Sequence, residues 1–179
     1  MVLEAVTPPA DFESGFESIV RLHRQAIFRF ILASLRDQDA AETLTQECLL
    51  KAWKAREQYR GDAGVKTWLM RIAVNLVRDH QISARLKFWR KRLDVAGAAQ
   101  LVADRQKSPE AAAAAKQQIA SVWDAAALLS HKQRTVLLLR FVEDMEILEI
   151  VAATGMKEGT VKVHLFRALQ NVRAKLEKK

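Results

Sequence analysis

Apolar residues recur along this chain at the spacing of α-helices, and no segment shows the alternation of a half-buried strand. Phe16, Ile19, Val20, Ile27, Phe30 and Ile31 mark the core side of a first helix, Phe16 to Leu35. A second helix, about Ala40 to Glu57, opens on a capping box, with Asp39 as N-cap and Glu42 three residues later. Ala41, Leu44, Cys48, Ala52 and Ala55 share its inward face, with Leu49 beside them. A third, about Thr67 to Gln81, turns Leu69, Ile72, Ala73 and Leu76 inward. Periodicity then lapses from Asp94 until a Ser108-Pro109 break. An alanine run, Ala111 to Ala115, favours a helix continuing to Leu128. Ser130 and Gln133 form another capping box, for a helix through about Val142. Glu146 to Thr154 follows, closed by Gly155, and a last helix runs from about Lys157 to Lys175. The prediction is an all-α chain of two small helical domains joined by a flexible linker. Its expected parts are a tail over 1–14, a first domain over 15–82, a linker over 83–109 and a second domain over 110–179.

Residues off these core stripes carry the candidate chemistry. On the second helix Gln46, Glu47, Leu50 and Lys54 lie opposite the stripe, with Trp53 at the flank. Either this helix is buried on two sides, or Leu50 and Trp53 belong to a docking surface for another protein. On the third helix Thr67, Arg71, Val74 and Arg78 point away from the core, with Asn75 at the edge. That ridge is either an ordinary solvated face or one suited to phosphates and base edges. Between the two helices, Tyr59-Arg-Gly-Asp-Ala-Gly-Val-Lys66 is a loop in which two glycines permit tight turns. Tyr59 and nearby Trp68 could hold an unstacked base, and Arg60 and Lys66 its phosphates. Arg85, Lys87, Arg90, Lys91 and Arg92, with Phe88 and Trp89 among them, read as a solvated basic helix end or a phosphate-contacting one.

The last two helices and the Gly155 turn make a helix-turn-helix. Val161, Leu165, Ala168 and Val172 face inward on the final helix; Gly159, Val163, Phe166, Arg167 and Gln170 face outward, flanked by Thr160 and Lys162. Phe166 is either a stray exposed aromatic or a contact for a thymine methyl or sugar edge.

Composition narrows the function classes. The chain has 179 residues, half of them hydrophobic, enough for one domain or two small ones with real cores. A net charge of +8 favours a polyanionic partner without choosing between nucleic acid and membrane. Cys48 is the only cysteine and lies on a core stripe, so no disulfide framework is possible within one chain. The N-terminus lacks a basic segment before an apolar run, and no stretch is long and apolar enough to span a membrane; a cytoplasmic location is expected. His23, His80, His131 and His164 are scattered without metal-ligand spacing, and no phosphate loop, nucleophile elbow or paired-carboxylate site appears. The chain is therefore expected not to be an enzyme and to use no metal, cofactor or small-molecule substrate.

Asp39-Ala-Ala-Glu-Thr-Leu-Thr-Gln-Glu47, Lys51-Ala-Trp53, Tyr59-Arg-Gly61 and Thr67-Trp-Leu-Met-Arg-Ile-Ala-Val-Asn75 together resemble region two of bacterial RNA polymerase sigma factors, most closely the extracytoplasmic-function (ECF) group of the sigma-70 family. Leu129-Ser-His-Lys-Gln-Arg134, Leu139-Arg140, Glu149-Ile150 and Gly159-Thr-Val-Lys162, with Leu165 and Arg167-Ala168, resemble region four. The chain departs from the family pattern at Thr43, Val65, Val74, Val163 and His164, and Glu146 stands where a hydroxyl cap is usual.

The resemblance implies a transcription initiation factor that binds core RNA polymerase and reads two promoter elements. Gln46, Glu47, Leu50, Trp53 and Lys54 would meet the clamp of the largest subunit, and region four the flap of the second-largest. Tyr59, Arg60, Asp62, Gly64, Lys66, Trp68, Arg71, Asn75 and Arg78 would read the −10 element and assist opening. Thr160, Lys162, Val163, Phe166, Arg167 and Gln170 would read the −35 element. Related linkers thread the polymerase active-site cleft, and related factors are held by an anti-sigma factor. The alternative is a free-standing helix-turn-helix regulator, in which the first domain's features have no role.

Overall fold

The computed structural model describes residues 12–94 and 122–177, the side chains of 12–14 and 87–94 aside. Its helices are α1 (Phe12–Leu35), α2 (Gln38–Lys54), α3 (Val65–Asp94), α4 (122–127), α5 (His131–Phe141), α6 (Ile147–Thr154) and α7 (Glu158–Glu177), with a 3-10 turn at Arg56–Gln58 between α2 and α3. The expected all-α architecture is present. The alanine run falls outside the described residues.

Two helix ends differ from expectation, for local reasons. The cap of α2 is Asp37 rather than Asp39. The chain leaves α1 through Arg36 in the left-handed region, at φ 58°. Asp37 is thus the first extended residue, and its carboxylate accepts from the Ala40 N–H at 3.0 Å. Asp39 already lies in the first turn, where its charge suits the helix dipole. The third helix was expected to stop near Gln81, yet α3 runs on to Asp94. No glycine or proline interrupts Ser83 to Asp94, so nothing breaks it. The expected linker over 83–109 therefore starts inside a helix, and residues 95–109 lie outside the described set.

The capping box on α5 forms as expected: the Gln133 N–H donates to Ser130 Oγ, and the Ser130 N–H to Gln133 Oε1. Glu149 accepts from the Glu146 N–H at 2.7 Å, so a carboxylate three residues on serves the start of α6 without a hydroxyl cap. Gly155 ends α6 at φ 69°, a conformation glycine adopts without a Cβ penalty.

α1, α2 and α3 enclose Ile27, Phe30, Ile31, Leu44, Cys48, Leu69, Met70, Ala73 and Val77. The Cys48 thiol donates to the Leu69 carbonyl, and burial pushes its pKa up to about 12. The C-terminal helices gather Val136, Leu138, Leu139, Met145, Ile150, Ala153 and Val161. These two apolar groups are continuous: α6 packs on α3, and α5 on α1. Docking of the second unit explains a further departure. Thr67 and Val74 were expected to point away from the core, yet both are buried; Thr67 meets Glu149 of α6, which packs along α3.

Polar groups cross the same seam. Glu143 is fully buried, and its carboxylate accepts two parallel bonds from Arg29, at 2.9 and 3.0 Å. Lys66 donates to the Glu143 carbonyl and lies 3.8 Å from its carboxylate. Thr67 meets Glu149 at 3.3 Å. Arg134 donates to the carbonyls of Ala126, Ala127 and Leu129, and across the seam to that of Ser34. One guanidinium thus satisfies carbonyls at the ends of both α4 and α1, groups that helices leave unpaired.

Candidate nucleic-acid interface

The loop between α2 and α3 borders an open cleft of about 290 Å³. Gln58, Tyr59, Arg60, Asp62, Ala63, Thr67, Trp68 and Arg71 line it, and Ala152 of α6 closes one side. The sharp turn is made at Gly61, φ 76°. Gly64, singled out from the sequence, has no such demand: a Cβ there would meet nothing within 4 Å. It is exposed and is not among the residues that line the cleft.

Tyr59 does not stand free to stack on a base, as the sequence suggested. It is buried, its ring tilts against Trp68 at 5.1 Å, and its hydroxyl donates to the Ala63 carbonyl at 2.6 Å. Its role is to brace the loop and to back the indole. Burial, then the nearby Asp62 carboxylate, raises its pKa. Trp68 is half-buried and presents the aromatic surface of the cleft. Arg60 pairs with Asp62 at 3.3 Å, both well exposed, so water and salt screen that pair strongly. Lys66, expected to hold phosphate, is instead turned to Glu143.

Arg71, Asn75 and Arg78 are all exposed along α3. Arg71 reaches the cleft; Asn75 and Arg78 continue the ridge beyond it, with Arg78 against Asp79 at 3.2 Å. The sequence reading missed Gln58, Thr67 and Ala63 as cleft walls. Thr67 was legible as an off-stripe position, but no local signal placed Ala152 there.

The second surface is α7. Val161 and Ala168 are buried, with Leu165 and Val172 beside them. Thr160, Lys162, Val163, Phe166, Arg167 and Gln170 are all exposed, Phe166 at 62%. Their shared face is unobstructed by the rest of the described chain and has the width of one helix side, the shape a major groove admits. Lys162 pairs with Glu158 one turn back. His164 is partly buried with Nδ1 lacking a partner; burial, then Lys132 and Arg167, lowers its pKa.

A third surface lies on α2. Leu50 is 53% and Trp53 37% exposed, with Gln46 and Lys54 exposed and Glu47 half-buried. The helix is not buried on two sides. Trp53 is fixed by an edge contact with Phe16 and by the Arg56 guanidinium 4.1 Å over its ring. Glu47 pairs with Lys51 on the same side.

Comparisons with known proteins follow this division. The family profile for Sigma-70 region 2 matches residues 19–86, and that for Sigma-70, region 4 matches residues 119–172. The RNA polymerase sigma-E factor of Streptomyces antibioticus is 32% identical over 163 residues, covering 90% of this chain and 84% of that protein. The ECF RNA polymerase sigma factor SigW of Bacillus subtilis is 26% identical, covering 92% and 90%. Among solved structures, the sigma factor RpoE in complex with the anti-sigma factor NepR, from Bartonella quintana, shares the fold, with a TM-score of 0.66 at 23% identity, covering 90% of this chain and 96% of that one.

The Tyr59 brace generates a direct expectation. Tyr59→Phe keeps the ring packing and leaves the Ala63 carbonyl without its donor, so it should cost about 1 kcal/mol of stability. Amide hydrogen exchange should quicken over residues 60–64 and stay unchanged in α2. Equal exchange in the variant and the parent would show that the hydroxyl does not hold the loop.

Proposed function

This chain belongs to the sigma-70 family of RNA polymerase sigma factors, in its ECF group, and from that premise we infer how each surface serves promoter-specific initiation. The observation that carries the reading is the pairing, in one chain, of two unlike nucleic-acid surfaces. One is a small cleft with an aromatic wall and a cationic rim, suited to a base taken out of its stack. The other is an exposed helix face suited to duplex. A free-standing regulator needs only the second. A factor that finds a duplex element and then captures a base from a melted one needs both.

In this reading α7 enters the major groove of the −35 element, while the cleft under Trp68 takes an unpaired base of the −10 element, with Arg71, Asn75 and Arg78 along the adjoining strand. Leu50 and Trp53 dock on the clamp of the largest polymerase subunit, and the C-terminal unit meets the flap of the second-largest. Apolar side chains such as Leu50, Trp53 and Leu22, exposed together with two cationic surfaces, are a liability in a free chain. We therefore also propose an anti-sigma partner that covers them, as NepR accompanies the Bartonella quintana protein.

Run-off transcription with core polymerase tests the main reading. Added chain should give promoter-specific transcripts. Leu50→Asp should abolish them and core binding alike, while its melting temperature stays within a few degrees, since an exposed substitution usually changes stability by no more than about 0.5 kcal/mol. Specific duplex binding by the chain with no effect on core polymerase would move it to the regulator class.

Affinity capture from uninduced cells tests the anti-sigma partner. It should yield a second protein in stoichiometric amount, and polymerase subunits alone would count against that part.

The two cationic residues of α7 should fail differently. Arg167 can bond guanine bidentately, so Arg167→Ala should cost about 1–3 kcal/mol and relax specificity at one or two base pairs. Lys162, nearer the flank, should hold phosphate; Lys162→Ala should weaken all −35 sequences alike and lower the salt slope by about one ion. Holoenzyme transcription across a −35 substitution panel at two salt concentrations separates them. The opposite pattern would mean that α7 is rotated about its axis relative to this assignment.

A further inference from the structure

α3 outruns the bundle it belongs to. Val77 is its last buried residue among those whose side chains are described; from Arg78 to Leu86 every residue is exposed except Gln81, which is half-buried. The helix continues to Asp94, so this half is a rod of roughly 25 Å at 1.5 Å per residue. A helix that packs on nothing draws little stability from propensity alone. Ile82 and Leu86, one turn apart, are 50% and 57% exposed on it. At about 100° per residue Trp89 and Leu93 follow in the same register, and the four positions fall within about 60° of one another. The stripe prolongs the ridge of Arg71, Asn75 and Arg78 and turns it from polar to apolar.

Cationic positions surround that stripe. Arg78, Arg85 and Arg92 recur at every seventh place along one border, Arg90 takes the other, and Lys87 and Lys91 occupy the back. Against these six cations stand two carboxylates, Asp79 and Asp94. Whatever covers the face must offer an apolar phase and negative charge in one plane. A duplex offers phosphates but no apolar phase as long as this stripe. A second copy of the chain brings charge of the same sign. The headgroup boundary of an anionic bilayer offers both, and arginine and lysine stems lie along apolar surface while their charged ends reach the headgroups.

We propose that the projecting half of α3, residues 78–94, is an interfacial helix that seats on an anionic lipid bilayer, with Ile82 and Leu86 in the acyl boundary and Arg78 and Arg85 on the headgroups. The inference goes beyond the sigma-factor reading and does not depend on it. It gives a role to the basic, tryptophan-bearing helix end that neither promoter surface uses. Such a helix lies on the membrane; among the described residues no helix is long and apolar enough to cross one.

The test uses the full chain and two kinds of vesicle, phosphatidylcholine alone and phosphatidylcholine with roughly one-third phosphatidylglycerol. The chain should sediment with the anionic vesicles at least about tenfold more strongly than with the neutral ones, and less so at high salt. Amide exchange should slow over residues 78–94 on binding and keep its rate in α2. Two variants separate the contributions. Ile82→Ser with Leu86→Ser removes apolar surface and no charge; both residues are exposed, so neither core is touched, and circular dichroism confirms the fold. This variant should lose at least about tenfold in affinity for anionic vesicles and keep the parent's affinity for a labelled mixed-sequence duplex. Arg85→Glu changes the charge by two, each worth about fivefold at an anionic surface, so it should bind roughly 25-fold more weakly.

A parent chain that stays in solution with both kinds of vesicle overturns the proposal. So does a serine variant that binds anionic vesicles as the parent does, because adhesion then belongs to the net charge of +8 and not to this helix. Equal losses for duplex and vesicles in the serine variant would give the face to nucleic acid. If vesicles fail to bind while the serine pair abolishes capture of a partner from cells, the face belongs to an acidic protein. None of these outcomes alters promoter-specific run-off by the parent, so the two readings fail separately.

Discussion

Glu143 is the point on which the arrangement of this chain turns. A carboxylate withdrawn fully from water pays a desolvation penalty of several kcal/mol unless ion pairs and hydrogen bonds replace its hydration. Here the replacement comes from the other unit, as a two-bond guanidinium fork from Arg29 and an ammonium from Lys66. Removing one partner of such a pair while it stays buried typically costs about 3–5 kcal/mol, whereas exchanging the whole pair for apolar groups is often neutral. The pair therefore adds little net adhesion and penalises any docked geometry in which Arg29 and Glu143 miss each other. Attraction across the seam comes from apolar burial: Val74 on α3, with Ile150 and Ala153 on α6, belongs to one continuous core. Apolar contact supplies the force, and the carboxylate supplies the register.

Much of this fold was legible because helices announce themselves locally. The stripe Ala41, Leu44, Cys48, Ala52 is buried as its spacing implied, and so are Val161 and Ala168 on α7. The Ser130–Gln133 capping box and the Gly155 stop depend on side chains within a few residues, and both were readable. The cap of α2 was misread because Asp37 and Asp39 offer the same chemistry; only the left-handed turn at Arg36, a tertiary outcome, chose between them. The overrun of α3 was missed because fading amphipathicity is not a stop signal, and no breaker is present.

Thr67 and Val74 show where local reasoning ends. The period placed them off the first bundle's core correctly, and that position ordinarily means solvent. The partner of Thr67, Glu149, lies on α6, 82 residues along the chain, and no local pattern encodes that pairing. Glu143, next to Asp144 in a short connection, has the composition of a solvated turn, yet is buried. On α2 the period could not say whether Leu50 and Trp53 were a second core face or an exposed one. The fold answers because, among the described residues, α1 and α3 occupy the inner side of α2 and leave Leu50 and Trp53 exposed.

The two surfaces proposed to meet nucleic acid also differ in how they are built. The proposed reading face of α7 needs only rotation about one helix axis, which Val161, Leu165, Ala168 and Val172 set by burying the opposite side. Periodicity alone placed the side chains of that face outward. The cleft depends instead on a left-handed Gly61, a buried tyrosine hydroxyl tied to a carbonyl four residues ahead, and an indole leaning on that tyrosine. Each element constrains the next, so contacts tie down a loop whose composition reads as mobile. A preformed pocket of this kind lowers the ordering cost of capturing a base.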